Sequence, residues 1–202
     1  MTGAPGWPVQ LQEERVGLRP IRRSDAGTWR ALRLRNSSWL QRWEATPPDP
    51  RSPAVSFGAT VRYLRTEARA GRAMPFVVTW DGVLVGQVTV SGITRGSLCS
   101  AQIGYWVDEG HAGRGIIPTA VALAVDHCFV AGGMHRIEIN IRPENTASLR
   151  VVEKLGFTDE GLRRRLLHID GDWRDHRSFA LLAEDVPGGL LERWRRVRSV
   201  GR

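Results

Sequence analysis

Two segments in the second half of this chain constrain its fold more than anything else in it. They are Gly104-Tyr-Trp-Val-Asp-Glu-Gly-His-Ala-Gly-Arg-Gly-Ile-Ile-Pro-Thr119 and Asn145-Thr-Ala-Ser-Leu-Arg-Val-Val-Glu-Lys-Leu-Gly-Phe157. In the first, an apolar strand feeds a glycine loop that opens a helix. Gly113-x-Gly115 lets the backbone approach a ligand and turn successive N–H groups inward, and Pro118 is pre-set for the first turn of the helix. A helix N-terminus carries about half a positive charge and unpaired donors. With Arg114 added, the loop matches a pyrophosphate. The G-x-G-x-x-G dinucleotide pattern is not met, because no third glycine follows and no parallel strand alternation surrounds the loop. The second segment is a polar cap followed by a helix that ends in Gly-Phe.

Composition narrows the setting. At 202 residues the chain suits one well-buried domain. No apolar run approaches the ~20 residues that span a bilayer, and Met1 to Pro8 lack the pattern of an export signal, so a cytoplasmic location without membrane association is expected. Cys99 and Cys128 have no His or Cys pattern around them, which predicts reduced thiols, no disulfide and no metal. The net charge of +8 is almost wholly arginine, since Lys154 is the single lysine. Part of the excess lies in Arg193-Trp-Arg-Arg-Val-Arg198, read as a solvated helix end. RNA binding calls for aromatics interleaved with basic residues, and only Trp194 interrupts this run, so nucleic acid is not expected as a partner.

Along the chain, residues 1–14 read as a loose arm. A strand follows over 16–21, then a helix over 26–36 capped by Ser24-Asp25. The proline-rich 46–53 segment is a loop, and a second helix covers about 58–70. Strands at 75–80 and 83–91 meet at Asp81-Gly82 as a hairpin. Next come a strand (101–107), a helix (118–129), the alternating strand 136–141, a helix (146–155), and strands at 162–169 and 174–182 around Asp170-Gly171. This order predicts an α/β (α+β) fold with a mixed, mostly antiparallel sheet and helices on both faces. Residues 15–186 form the domain, and 187–202 a basic C-terminal helix or tail.

With these elements in hand, the chain resembles the GNAT superfamily of acetyltransferases, and within it the RimJ/RimL-type protein N-acetyltransferases. The resemblance rests on Ile103-Gly-Tyr-Trp-Val107, the glycine loop, Asn145 to Phe157 and Asp170-Gly-Asp-Trp-Arg-Asp-His176. The superfamily loop usually reads Gln/Arg-x-x-Gly-x-Gly/Ala; here Ala112 stands first and Ile117 last, which leaves backbone donors and Arg114 to carry the phosphates. The resemblance implies acetyl-CoA as cofactor. It would be held by Tyr105, Trp106, Val107, Ala112, Gly113, Arg114, Gly115, Ile116, Asn145, Ser148 and Val151, with the pantetheine arm lying between the 101–107 and 136–141 strands.

Acetyl transfer to an amine needs a neutral amine, aligned attack, oxyanion stabilisation and a proton for the leaving thiolate. The tyrosine that many GNAT enzymes use as the acid is replaced by Val152, and one turn earlier Ser148 matches the serine of RimL-type enzymes. RimI-type enzymes carry a glutamate at the position of Asn140. Glu138, on the same face of the strand, is the base candidate, with Tyr105 and Glu44 as weaker ones. Neither cysteine sits in a site-forming motif, which argues for direct transfer in a ternary complex. Trp39, Trp43 and Glu44 fall where the fold borders its acceptor groove. The expected acceptor is the N-terminal α-amine of a protein, notably a ribosomal one. The alternatives are a small amine such as an antibiotic or polyamine, or a non-catalytic acyl-CoA-binding module. The chain would act as a monomer or homodimer.

Overall fold

The computed structural model describes residues 5–49, 51–53 and 55–200. The first four residues of the expected arm, Pro50 of the expected loop and the last two residues of the tail lie outside that range. Its strands are β1 (Leu11–Glu13), β2 (Val16–Pro20), β3 (Met74–Trp80), β4 (Val83–Thr94), β5 (Ser100–Val107), β6 (Arg136–Ile141), β7 (Thr158–Ile169) and β8 (Asp172–Leu182). Its helices are α1 (Ala26–Arg35), α2 (Ser37–Leu40), α3 (Phe57–Arg69), α4 (Ile116–Val130), α5 (Thr146–Leu155) and α6 (Leu190–Val200). The strands form one sheet in the order β1-β2-β3-β4-β5-β6-β8-β7. Every neighbouring pair is antiparallel except β5 and β6. At both Asp-Gly hairpins the two turn residues have positive φ: Asp81 +50° and Gly82 +80°, Asp170 +50° and Gly171 +82°. That pair of left-handed residues matches the twist of the strands it joins.

The two sheet faces carry separate cores. On one, α4 and α5 cover Phe76, Val88, Ile103, Ile137 and Leu181. Eleven of the fifteen residues of α4 are buried, as an apolar helix with no polar stripe requires. On the other, α1 and α3 close over Val77 and Leu84 through Ile21, Leu32, Phe57 and Val61, with the Trp29 and Phe57 rings 4.9 Å apart.

Of the differences from expectation, three have a clear local reason. Helix α4 starts at Ile116, two residues before Pro118, because Gly115 at φ +76° takes the N-cap. Pro118 still falls among the donors that lack intrahelical partners, so its missing N–H is harmless there. Asp25 does not cap α1. Its carboxylate is held by the Arg19 guanidinium at 2.7 and 3.0 Å and by the Arg22 N–H at 2.7 Å, in a 3-10 turn over Arg23–Asp25. The arm is tied down from Trp7 onward: Trp7, Val9 and Leu11 alternate and pack on the core, Trp7 stands edge-on to Phe76, and Leu11–Glu13 pairs with β2. The bare edge of β2 supplies the donors and acceptors that fix it.

The basic C-terminal helix is part of the domain. Its first turn is capped by Asp126 of α4, whose oxygens accept from the Leu190 and Leu191 N–H groups at 2.6 and 3.0 Å. Trp194 is 4% exposed and donates through Nε1 to Thr119 Oγ1 at 2.8 Å, and that hydroxyl donates to the Gly115 carbonyl at 2.9 Å. The tail therefore braces the first turn of the glycine-loop helix. Trp194→Phe keeps most of the ring and loses one hydrogen bond, so urea unfolding is expected to register a loss of about 1 kcal/mol. Trp194→Ala leaves a cavity and is expected to cost ~3–5 kcal/mol.

Candidate active site

Strand β5 is held by β4 out to Val107, opposite Gly86. On its other side it pairs with β6 only from Ser100↔Arg136 to Gln102↔Glu138. From there β6 follows β8, as far as Ile141↔Arg177. The two parallel strands part, and a cleft of about 1500 Å³ opens where they separate. Its walls come from the end of β5, the glycine loop, the first turns of α4 and α5, and the α2 segment.

The loop is built as the sequence requires. Gly113 and Gly115 sit at φ +77° and +76°, a region that L side chains rarely adopt. Between them Arg114 is exposed and meets no carboxylate among the described residues. The N-terminus of α4 has no side-chain cap, so the donors of Ile116 and Ile117 stay available to an anion. Opposite, Asn145 caps α5 by accepting the Ser148 N–H at 3.1 Å, which leaves its NH₂ group free for a ligand. Ser148 is half-buried on the cleft wall, and its carbonyl receives the Tyr105 hydroxyl at 3.5 Å. Burial raises the Tyr105 pKa well above its ordinary value, so this phenol stays a donor. Val152 is 1% exposed and belongs to the core beneath α5.

Tyr105, Trp106, Val107, Ala112, Gly113, Gly115, Ile116, Asn145, Ser148 and Val151 line this one cleft, and so do Trp39, Trp43 and Glu44. Trp39 donates to the Val107 carbonyl at 3.3 Å. Trp43 lies between the Arg42 and Arg142 guanidinium groups, 5.3 and 5.4 Å from its ring. Glu44 is ion-paired with Arg33, whose guanidinium in turn stacks over Trp29 and Trp106 at 5.3 and 5.5 Å. Arg114 and Glu138 are not among the lining residues. The structure does not bring Glu138 to Ser148. Alternation along β6 turns it to the sheet face opposite α5, where Arg136 at 2.9 Å and Arg163 at 3.4 Å hold it.

Sequence reasoning missed the group that fastens the α1–α2 junction to the loop. Asp108, 3% exposed, accepts from Asn36 Nδ2 at 2.7 Å, Arg35 Nη2 at 2.9 Å and His111 Nδ1 at 2.7 Å. Asn36 Oδ1 accepts the Glu109 N–H at 2.8 Å. The Asp-x-x-His spacing beside the glycine loop was the local signal. Asn36, 72 positions away, carried none.

The described residues hold no group of three or more His, Cys, Asp or Glu side chains able to bind a metal, and none of their helices is long and apolar enough to cross a membrane. Cys99 and Cys128 are both free. Neither lines the cleft, and burial pushes the Cys128 thiol up to about 12.

Residues 15–158 match the family model described as acetyltransferase (GNAT) domain. The probable N-acetyltransferase YjcK of Bacillus subtilis is 45% identical over 105 residues, which are 52% of this chain and 58% of that protein's length. The ribosomal protein uS5-alanine N-acetyltransferase of Escherichia coli is 27% identical over 183 residues, 89% of this chain and 94% of the relative. Among solved structures, Mycobacterium smegmatis RimJ in complex with CoA-disulfide is 41% identical with a TM-score of 0.89, over 100% of this chain and 98% of that one.

The Asp108 group makes a pH-dependent prediction. Burial pushes its carboxyl up, but the bonds from Asn36, His111 and Arg35 outweigh that and hold it below its ordinary value. A pKa depressed by folding stabilises the protein above the unfolded value of about 3.9 and loses that effect as pH falls through the folded value. Asp108→Asn is expected to lose about 3 kcal/mol in urea unfolding at neutral pH. Its deficit against the wild type should shrink as pH drops below about 4.

Proposed function

The chain belongs to the acetyltransferase (GNAT) family, and on that premise we propose that it transfers the acetyl group of acetyl-CoA to a primary amine, the N-terminal α-amine of a ribosomal protein. The observation that carries this reading is the parting of β5 from β6 beside a glycine loop that opens a helix. It leaves a strand edge and a helix N-terminus, both rich in unspent backbone donors, facing one cleft. That edge and that loop fit acetyl-CoA. The ribosomal-protein acceptor is supported by the uS5-alanine N-acetyltransferase relative.

When bound, acetyl-CoA supplies an acyl group activated as a thioester. The N–H groups from Gly113 to Ile117, with Arg114, hold the pyrophosphate. Asn145 offers its NH₂ group to the pantetheine, and the free edge of β5 at Trp106 and Val107 donates to the carbonyl oxygen, where negative charge develops. Ser148 Oγ donates the proton that the leaving sulfur requires. Tyr105 donates to the Ser148 carbonyl, and Val151 lines the cleft one turn further along α5. Trp39 and Trp43 flank the acceptor, with Glu44, held by Arg33, beside them. Transfer is direct, since neither cysteine reaches the cleft.

Glu138, tied to two arginines outside the cleft, is not needed as a base. An α-amine titrates near 8, against about 10.4 for a lysine amine, so a useful fraction is already neutral at physiological pH and its proton leaves to solvent. The rim has no acidic excess to draw a polycationic acceptor: Glu44 and Glu144 are spent on Arg33 and Arg142, and Glu109 and Asp170 share the lining with Arg42, Arg150, Arg174 and Lys154.

Mass spectrometry of peptides with varied N-termini, with aminoglycosides and polyamines alongside, tests the reading after incubation with acetyl-CoA. One acetyl group on peptide α-amines is expected; product only on the small amines, or none, refutes it. Ser148→Ala should lower kcat by ~10²-fold. For an α-amine acceptor, kcat/KM should climb with pH and level off above about 8, and Glu138→Gln should leave that profile unmoved. A rise continuing toward about 10 would indicate a lysine acceptor instead.

A further inference from the structure

The positive charge of this protein is concentrated in one part of it. Residues 22–72, which build the α1–α3 layer and its connections, contain eleven arginines and four carboxylates, a surplus of seven in a chain whose net charge is +8. All four carboxylates are already spent: Asp25 on Arg19, Glu44 on Arg33, Asp49 on Arg51 and Glu67 on Arg72. Arg22, Arg23, Arg30, Arg62, Arg65 and Arg69 are exposed, and none forms an ion pair among the described residues. The C-terminal helix behaves in the opposite way. Arg195 pairs with Glu13 and Glu192, Arg196 with Glu192 and Arg198 with Glu14, so the run that looked most basic in sequence is largely neutralised.

Arg62, Arg65 and Arg69 stand at i, i+3 and i+7 on α3, a spacing that puts them along one side of the helix. That side flanks the face of Phe57, Val61 and Ala68, which are buried against the sheet. Tyr63, 63% exposed, stands on the other flank of the same helix, next in sequence to Arg62. Helix α1, which adds Arg30, packs on the same sheet face and continues into α2 at the cleft rim. We propose that this arginine face binds the phosphate backbone of RNA beside the acceptor cleft. Arginine forks suit phosphate oxygens, and the exposed Tyr63 ring on the adjoining flank suits an unstacked base. A membrane is disfavoured, because the large apolar side chains exposed in this layer, Leu34, Val55 and Tyr63, come from three separate segments and do not form one insertable helix face. The proposal stands whatever the acceptor amine is.

Fluorescence anisotropy of the whole protein with a labelled hairpin RNA tests it across a salt series. Binding that weakens with salt is expected. Replacing Arg62, Arg65 and Arg69 together by Gln should reduce the slope of log affinity against log salt by about three, and affinity at ~0.1 M salt on the order of a hundredfold. An unchanged thermal unfolding midpoint establishes that this variant is folded, and Arg22, Arg23 and Arg30 replaced by Gln form a second, independent set. The proposal is overturned if the wild type does not bind the RNA, or if binding survives in both sets. It is also overturned if affinity is lost instead on replacing Arg195, Arg196 and Arg198, or if phosphatidylserine vesicles or polyglutamate compete better than unlabelled RNA.

Discussion

Everything about the cleft depends on a conflict of pairing between two neighbouring strands. Strand β5 is committed to β4 along its whole length, and the Asp108 N–H extends that commitment by bonding the Val85 carbonyl at 2.8 Å. Strand β6 is committed to β8. The two can stay together for only three residue pairs before each follows its other partner. Backbone groups left without partners are costly when buried, so the separation persists as an open slot that an extended ligand arm can complete. A sheet that paired fully at this point would be more regular and would have no site.

Two buried polar contacts hold the glycine loop from opposite ends. At its start, Asp108 gathers Arg35, Asn36 and His111, so the α1–α2 junction is fastened to the loop. At its finish, Trp194 and Thr119 grip the Gly115 carbonyl from the C-terminal helix, which is itself fixed by the Asp126 cap. Between these anchors the backbone from Ala112 to Gly115 spends few of its donors internally. Rigidity supplied from outside lets a loop of small residues present a fixed set of N–H groups without side chains of its own.

How much of this was legible varied with the range of the interaction. The glycine loop, the Asn145 cap and both Asp-Gly turns are encoded within a few residues, and each is found where the sequence put it. The residues assigned to the cofactor converge on one cleft, apart from Arg114, because they follow from strand–loop–helix chemistry repeated in a known family pattern. Glu138, the base candidate, lies outside the cleft lining. Alternation along β6 was read correctly, but the partners on that face, Arg136 and Arg163, come from the strand itself and from β7, whose register depends on two irregularities in its pairing with β8. The arm at residues 5–14 was underestimated in the same way, since its alternating Trp7, Val9 and Leu11 acquire meaning only against the edge of β2.

By itself, the sequence determined the mixed sheet, the order of its elements, the left-handed turns and the anion-binding loop, because propensity, turn chemistry and apolar periodicity act over a few residues. Only the tertiary structure decided where β5 and β6 part, that Asp108 and Asn36 meet across 72 positions, and which arginines are neutralised. Charge pairing depends on distances between residues far apart in the chain. The C-terminal run that reads as the basic feature is answered by Glu13, Glu14 and Glu192, while the scattered arginines of α1 and α3, unremarkable in one dimension, share a layer with no acid left to meet them.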